Sequence, residues 1–291
     1  MRANLKVGGK HHLKLELQTK LQTELQTELQ TDIAGVRVSA ITTRAVMDFA
    51  IERAADRAGE PALICYANAW AVSLARDHPS YARILNEHAA VVYADGQSVI
   101  WASRLLSKLR GKSNPSQFPS LPERVNLGDF WLPLLQRLSE RGVSIYLLGG
   151  APGEAAAAGK AARKAVPELR IAGTRDGYFK DAEAASVAQA IHDAAPGVVF
   201  VGMGAPRQEL WAAQYLAAMR VPVVWCVGAL FEYYSGRRRR APVWMRRCGL
   251  EWLFRLALEP GRLWRRYLIG NLRFMYLVFR QAIGAQKKMT G

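Results

Sequence analysis

Residues 143–165 read VSIYLLGGAPGEAAAAGKAARKA, a strand, a glycine turn and a helix in direct succession. Consecutive apolar residues predict a buried strand, and the alanine-rich half predicts the helix that follows it. Gly149, Gly150 and Gly153 lie where backbone amides at a helix N-terminus can bind a phosphate. The spacing matches neither a dinucleotide-binding nor a P-loop motif, so a tight turn packed against the sheet explains it equally well.

The same alternation extends along the chain from about residue 40. The strand candidates are PALICYA (61–67), AAVVYA (89–94), VSIYLLGG (143–150), LRIAGT (169–174), GVVFVGMG (197–204) and VPVVWCVG (221–228). Strands that alternate with helices predict a parallel sheet covered on both faces. The fold class expected is therefore α/β, Rossmann-like and doubly wound, with ligands at the carboxyl ends of the strands.

Charge divides the chain unevenly. The whole protein carries a net charge of +16, and residues 237–291 hold 14 Lys and Arg against Glu251 and Glu259, a local surplus of +12. Large apolar and aromatic residues interleave with these arginines, and Arg266, Arg273 and Arg280 recur every seven residues. This composition is typical of helices in a membrane interface. It is less typical of a nucleic-acid-binding surface, which does not require so many aliphatic side chains.

We accordingly predict three regions. Residues 1–39, with the LQT repeat at 13–31, form a low-complexity extension expected to be disordered; residues 40–240 form the Rossmann-like domain; residues 241–291 form a basic, amphipathic, membrane-associating helical appendage. The stretch 107–123, with three prolines, is predicted to be a long mobile loop. No apolar run is long enough to span a bilayer and no signal-peptide core is present, so we expect the protein at the cytoplasmic face.

Asp95 is the candidate general base. It follows the apolar strand AAVVYA at the edge of the sheet where ligands bind, and its carboxylate is suited to take a proton from a sugar hydroxyl if burial raises its pKa. The alternative is an aspartate that caps the following helix. Local sequence does not separate the two interpretations.

The turn after the fifth strand, GMGAPRQELW at 202–211, supplies two more candidates. Gln208 can both donate to and accept from sugar hydroxyls or a uracil edge, and Glu209 lies beside it. Glu209 also fits a purely structural role at a helix N-terminus. The three cysteines are widely spaced, the His11–His12 pair fits a solvated tail, and there is no DxD pair, so we predict neither a metal nor another cofactor.

In order, these motifs resemble the WecG/TagA/CpsF glycosyltransferases. The resemblance rests on ADG after a strand, ERV followed by an aspartate, GGAPG, GAPRQE and RAPVWMRRCGLEWLFRLALEPGRLWRRY, and it covers roughly residues 40–270. It implies a Rossmann-like fold whose appendage completes the active site at the membrane. It also implies inverting transfer of a hexose or N-acetylhexosamine-type sugar from a UDP-sugar to a sugar on a polyprenyl diphosphate, in cell-surface or exopolysaccharide synthesis.

The resemblance also implies roles for individual residues. Asp95 is the base, and the appendage arginines Arg255, Arg262 and Arg265 bind the diphosphate. By the same resemblance, Asn68, Arg124 and Gln208 line the donor and acceptor pocket. The other substrate-binding candidates are Asp129, Gly149, Gly150 and Glu209. The partners implied are the UDP-sugar, the polyprenyl-diphosphate-linked acceptor and anionic lipid of the inner leaflet, without nucleic acid, and a homo-oligomer is left open.

Two departures bear on the sugar. Tyr66 stands two residues before Asn68 where the family usually has threonine, and residues 124–130 read RVNLGDF in place of RVTGTDL. The donor therefore stays open between a plain hexose and an N-acetylmannosamine-type sugar. Two alternatives also stay open: a nucleotide-dependent oxidoreductase, which needs an early GxGxxG motif that is missing, and a non-enzymatic basic protein that binds membranes or nucleic acid.

Overall fold

The structure is a computed structural model that describes residues 29–110 and 119–290. Its strands, β1 to β8, are Gln30–Ile33, Val36–Ser39, Ala62–Ala67, Ala89–Ala94, Ile145–Gly149, Ile171–Arg175, Val198–Gly202 and Val223–Cys226. Its α-helices, α1 to α13, are Thr43–Ala55, Ala69–Asp77, Pro79–Arg83, Gln97–Arg110, Leu127–Glu140, Glu154–Ala165, Ala184–Ala194, Arg207–Met219, Leu230–Tyr234, Val243–Arg247, Glu251–Leu258, Pro260–Trp264 and Gly270–Thr290. Ile84–His88 and Arg265–Ile269 are π-helical, and Asp181–Glu183 is a 3₁₀ turn.

Strands β3 to β8 form one parallel sheet in the order β4-β3-β8-β7-β5-β6. The centre of the sheet is buried on both faces: along β7, Val199 and Val201 contribute to one core, and Val198 and Phe200 to the other. This explains why GVVFVG is apolar at successive positions. All six predicted strands and the doubly wound α/β fold are confirmed.

The domain begins earlier than residue 40. Strands β1 and β2 form an antiparallel hairpin whose turn residues Ala34 and Gly35 have φ angles of 53° and 93°. Ile33, Val36 and Val38 are fully buried in the core. The predicted extension is therefore wrong for residues 30–39, where period-two burial replaces the LQT repeat. Residues 1–28, which include most of that repeat and the His11–His12 pair, lie outside the described residues.

The predicted loop at 107–123 also needs correction. Helix α4 continues through residues 107–110, and residues 111–118 lie outside what the structure describes. Beyond them Leu121 is buried, and its backbone N–H donates to Ser103 Oγ over 3.2 Å. The end of this stretch is thus fastened to α4.

The appendage is not separate from the core. Helix α13 packs against α2 and α4, and Phe274, Val278 and Ala282 are buried in the same core as the sheet. Arg273 pairs with Asp77 on α2. The expected common face of three arginines is only partly formed. Arg273 and Arg280 lie seven residues apart on α13 and share a face, whereas Arg266 lies in the π-helical segment, which shifts its phase by roughly one residue, about 100°.

Candidate active site

A cleft of about 1510 Å³ opens along the carboxyl edge of the sheet, beneath the appendage. The segments that follow β3, β4, β5, β7 and β8 form its floor, and α11 to α13 form the opposite wall. A parallel sheet brings the ends of its strands to one edge, so residues far apart in sequence meet there. The cleft is larger than most pockets for small molecules, which measure roughly 300–1,000 Å³.

Asp95 lies on the floor, directly after β4. Its backbone N–H donates to the Ala67 carbonyl over 2.8 Å, which continues the pairing of β4 with β3. Its Oδ1 accepts from Asn126 Nδ2 at 3.2 Å. Asp95 lines the cleft, and no described amide of helix α4 donates to its carboxylate, so the side chain does not cap that helix.

The surroundings of Asp95 make it a stronger base than an exposed aspartate. Burial raises the pKa of its carboxyl to about 6, against the opposing charge of Arg124, while Glu251 adds to the rise and Arg255 and Arg266 oppose it. A base with this pKa is ionised at neutral pH and still has appreciable proton affinity. The role of Asp95 as a base required that burial raise its pKa, and burial does so in this site.

Arginine side chains line much of the cleft, and we call this set the arginine wall. Its members are Arg124, Arg207, Arg237, Arg238, Arg240, Arg255, Arg265 and Arg266. Only Arg124, Arg255 and Arg265 were predicted from sequence. The dense RRRR run at 237–240 was visible in the sequence, but nothing in its pattern indicated which of its members would face a cleft.

Asp129 holds part of this wall in place. It pairs with Arg124 at 3.5 Å and Arg240 at 3.0 Å, and it also contacts Arg246. It is not among the residues that line the cleft. The structure therefore places Asp129 behind the cleft-lining side chains of Arg124 and Arg240, where it orients them.

Glu251 ties the appendage to the same wall. Its carboxylate lies 3.8 Å from both Arg124 and Arg240. Tyr233, on α9, adds an aromatic surface, with Arg240 and Arg255 at 5.9 Å and 5.8 Å from its ring centroid. Neither residue was predicted, because both act on arginines that only the folded chain brings together.

Asn68 lines the cleft next to Asp95, as expected, but part of its amide is already used. Its Oδ1 accepts from Ala71 N at 3.0 Å and caps helix α2. The Asn68 side chain therefore offers the cleft its Nδ2 donor. Gly96 packs closely against it, since a Cβ on that glycine would lie 3.3 Å from the Asn68 Cβ.

The glycine turn after β5 is largely closed to a phosphate. Gly150 N donates to the Gly202 carbonyl over 2.9 Å, and Ala151 N donates to Glu154 Oε2 over 2.8 Å. A Cβ on Gly149 would lie 2.3 Å from the Gly202 carbonyl oxygen, which explains the glycine there. The geometry corresponds to the tight turn packed against the sheet. The carboxylate of Glu154 accepts from a backbone amide that could otherwise have bound a phosphate.

Gln208 and Glu209 lie behind the floor of the cleft, both 0% exposed. Gln208 Oε1 accepts from Gly204 N at 3.1 Å and Gly228 N at 3.0 Å, which joins the loops after β7 and β8. Gln208 Nε2 donates to Glu209 Oε1 over 2.7 Å. Burial raises the pKa of Glu209 to about 7, although the bond from Gln208 lowers it. This arrangement shapes two cleft loops and gives neither side chain a place on the cleft surface.

The three appendage arginines predicted to bind diphosphate are placed differently. Arg255 lines the cleft against Tyr233, whereas Arg265 is exposed at its rim, 5.3 Å over the Trp264 ring. Arg262 belongs to α12, and its side chain lies outside the described part of the structure. Arg266, which sequence reasoning assigned to a lipid-facing row, lines the cleft instead.

Exposed apolar side chains surround the mouth of the cleft. Trp101 and Leu105 on α4 and Met275, Tyr276 and Phe279 on α13 line its rim, with 46–64% of each side chain exposed. Within residues 29–110 and 119–290, no helix has the length and apolarity needed to cross a bilayer. The same residues contain no group of three or more His, Cys, Asp or Glu arranged to hold a metal ion.

A known protein family matches most of the chain. The description "Glycosyl transferase WecG/TagA/CpsF family" matches residues 31–288, which covers the sheet, the cleft and the appendage together. The match begins at the β1–β2 hairpin, in agreement with the structural start of the domain. The chain therefore belongs to the WecG/TagA/CpsF family of glycosyltransferases, enzymes of cell-surface polymer synthesis.

Proposed function

We propose that this glycosyltransferase moves a hexose or N-acetylhexosamine-type sugar from a UDP-sugar to a sugar carried on a polyprenyl diphosphate, with inversion at the anomeric carbon. The observation that carries the proposal is the position of Asp95, a carboxylate with a raised pKa that faces a wall of arginines across one cleft. One cleft thereby contains both a carboxylate that can accept a proton and arginines that can bind a diphosphate.

The reaction needs one displacement. The Asp95 carboxylate takes the proton of an acceptor hydroxyl as that oxygen bonds to the anomeric carbon of the donor sugar. The bond from this carbon to the nucleoside diphosphate breaks, and its electron pair goes to the departing phosphate oxygen. Guanidinium groups stabilise the resulting charge, because they stay protonated and match phosphate oxygens in shape. A single displacement inverts the anomeric centre.

The arginine wall favours a metal-free reaction. A metal ion at such a site would neutralise the departing diphosphate, and the cleft arginines supply the same positive charge. The guanidinium of Arg240 is held in place because it donates to the Gly128 carbonyl over 2.7 Å and pairs with Asp129. We accordingly propose that no metal or other cofactor takes part.

The rim of the cleft supports a lipid-linked acceptor. Met275, Phe279 and Trp101 are 61–64% exposed, and such a set of large apolar side chains is unusual on a surface that faces only water. Arginines at the same mouth suit anionic headgroups. We propose that this rim rests on the cytoplasmic membrane surface, where it admits the polyprenyl-linked sugar to Asp95.

The test is incubation of the protein with a panel of UDP-sugars and a short-chain polyprenyl-diphosphate-linked sugar, with products identified by mass and anomeric configuration by NMR. We expect one donor to add one sugar with inverted configuration. Products with retained configuration contradict the displacement at Asp95. A full panel without transfer, on protein that is folded and binds UDP, contradicts the proposed donor and acceptor classes.

A further inference from the structure

Asn126 connects the proposed base to an arginine of the wall. Its Nδ2 donates to Asp95 Oδ1 at 3.2 Å, and its Oδ1 accepts from the guanidinium of Arg240 at 3.3 Å. Only one orientation of the amide allows both hydrogen bonds, because an ionised carboxylate has no donor and a guanidinium has no acceptor. The Asn126 side chain therefore bridges two groups of opposite charge that line the same cleft.

The backbone of Asn126 is that of a helix N-cap. It directly precedes α5, with φ of −119° and ψ of 106°, and its carbonyl accepts from Asp129 N at 2.9 Å. Asparagine is among the strongest N-cap residues, since its side-chain oxygen can accept from an amide of the first turn. The Asn126 side chain makes no such bond. A role in starting the helix therefore does not explain its two contacts in the cleft.

The path of the chain brings Asn126 to Asp95. Val125 N donates to the Ala94 carbonyl over 2.9 Å, so the residue before Asn126 lies beside the residue before Asp95. Both Val125 and Ala94 are buried in the core. The two side chains that follow meet directly after β4, and their hydrogen bond continues the pairing of the two backbones.

The same turn holds Arg240. Its guanidinium donates to the Gly128 carbonyl over 2.7 Å and to Asp129 Oδ1 over 3.0 Å, in addition to its bond with Asn126. A Cβ on Gly128 would lie 3.0 Å from the Arg240 Cζ, so this glycine lets the guanidinium approach the backbone. Residues 126–129 thus fix Arg240 at three points and Asp95 at one.

We propose that Asn126 is a positioning residue, which holds the Asp95 carboxylate in the orientation that accepts the proton of the acceptor hydroxyl and couples this orientation to Arg240. The role rests on the proposed function, in which Asp95 is the base. A hydrogen bond to Oδ1 leaves Oδ2 of Asp95 for the incoming proton. In the RVTGTDL pattern a threonine stands at this position, whereas the amide of Asn126 has its donor and its acceptor on separate atoms.

The experiment compares Asn126→Ala and Asn126→Asp with the wild type and with Thr42→Ala. Thr42 is the N-cap of α1, where its Oγ1 accepts from Ala45 N at 3.2 Å, so Thr42→Ala shows the effect of a lost cap alone. kcat and KM are measured with the short-chain acceptor in detergent, and thermal melting checks the fold. Aspartate caps a helix about as well as asparagine, so Asn126→Asp should be silent if residue 126 only starts α5.

We expect both substitutions of Asn126 to reduce turnover. Asn126→Ala should lower kcat roughly 10- to 100-fold, the effect of losing a hydrogen bond to a charged group. Its donor KM should change by less than about threefold, because Arg240 keeps its bonds to Gly128 and Asp129. Asn126→Asp keeps an acceptor for Arg240 but adds a negative charge beside Asp95, so kcat should fall at least as far. Thr42→Ala should lower the melting temperature and leave kcat unchanged.

The ionisation of Asp95 is a readout that a capping role would not change. Selective carbon-13 labelling of aspartate lets NMR follow the Asp95 carboxyl as the pH changes, and the signal is assigned by its loss in Asp95→Asn. A donor to the ionised form lowers the pKa of a carboxyl, and a like charge raises it. The Asp95 pKa should therefore rise above about 6 in Asn126→Ala, rise further in Asn126→Asp and stay unchanged in Thr42→Ala. All three variants keep the other charged or titratable groups that act on Asp95, which are Arg124, Glu251, Arg255, Arg266, Tyr66 and Tyr93.

Each contrary outcome overturns the proposal for a different reason. If Asn126→Asp has the kcat and the Asp95 pKa of the wild type, residue 126 only caps α5; this variant also carries the test if Asn126→Ala does not fold. A rise confined to the donor KM would assign Asn126 to Arg240 alone. If the wild type transfers no sugar, the proposed function fails, whereas the NMR titration still supports or refutes the contact between Asn126 and Asp95.

Discussion

Asp95→Asn is the substitution that tests the chemistry most directly. The exchange nearly preserves the shape of the side chain, and a carboxamide oxygen can still accept from Asn126 Nδ2, now 3.2 Å from Oδ1. What disappears is the ability to take a proton. Loss of a general base costs about 10²- to 10⁴-fold in rate, which corresponds to about 3 to 5 kcal/mol in the activation barrier. We expect turnover to fall by this factor while UDP binding and the melting temperature stay close to wild type.

The pH profile of the same variant sharpens the test. In the wild type, kcat/KM should rise with pH through about 6, because Asp95 acts only when it is deprotonated. Residual activity of Asp95→Asn should lack this limb. Asp193→Asn is a matched control, since Asp193 is an exposed carboxylate on α7 that accepts from Gln189. Activity within a few-fold of wild type, or an unchanged acid limb, would refute the role of Asp95.

Three further expectations follow from the same structure. Phe274→Ala should lower the free energy of unfolding by about 3 to 5 kcal/mol in denaturant, because Phe274 is 3% exposed. Phe279→Ala should leave stability nearly unchanged and weaken retention on anionic vesicles. Equal losses of stability in the two variants would contradict the orientation of α13. Burial raises the pKa of Glu209 to about 7. Between about pH 4.5 and 7 the folded state therefore holds a proton that the unfolded chain has released, so the free energy of unfolding should decline as the pH rises through this range. Glu209→Gln should flatten this decline. Chelation with EDTA should leave turnover unchanged, and activity that magnesium or manganese restores would contradict the metal-free proposal.

The strands of the sheet could be predicted because each one has a signature in consecutive residues. A strand that is buried on both faces, such as GVVFVG, is apolar at successive positions. The position of Asp95 follows as well, since the end of a parallel strand fixes an edge of the sheet. The β1–β2 hairpin was missed although Ala34–Gly35 is flanked by alternating apolar residues, because the preceding repeat dominates the composition there.

The arginine wall was less predictable, and the reason is geometric. A heptad spacing places Arg266 and Arg273 on one face only if the helix is regular, and the π-helical turn at 265–269 removes that condition. Gln208 shows the reverse case. Its hydrogen-bonding capacity was recognised from its type, but two backbone amides use its oxygen, that of Gly204 in the preceding turn and that of Gly228 in the loop after β8.

The position of the appendage suggests why a basic helical segment and a sheet domain fold as one unit. Arginines that line one cleft repel one another. The carboxylates of Asp129 and Glu251 offset this repulsion. The same two carboxylates orient Arg124 and Arg240, so these side chains need little reorganisation for the diphosphate binding that we propose. Since Glu251 belongs to α11, the arginine wall is complete only when the appendage is docked. A segment that only anchored the protein to a membrane would have no need to contribute a carboxylate to the site.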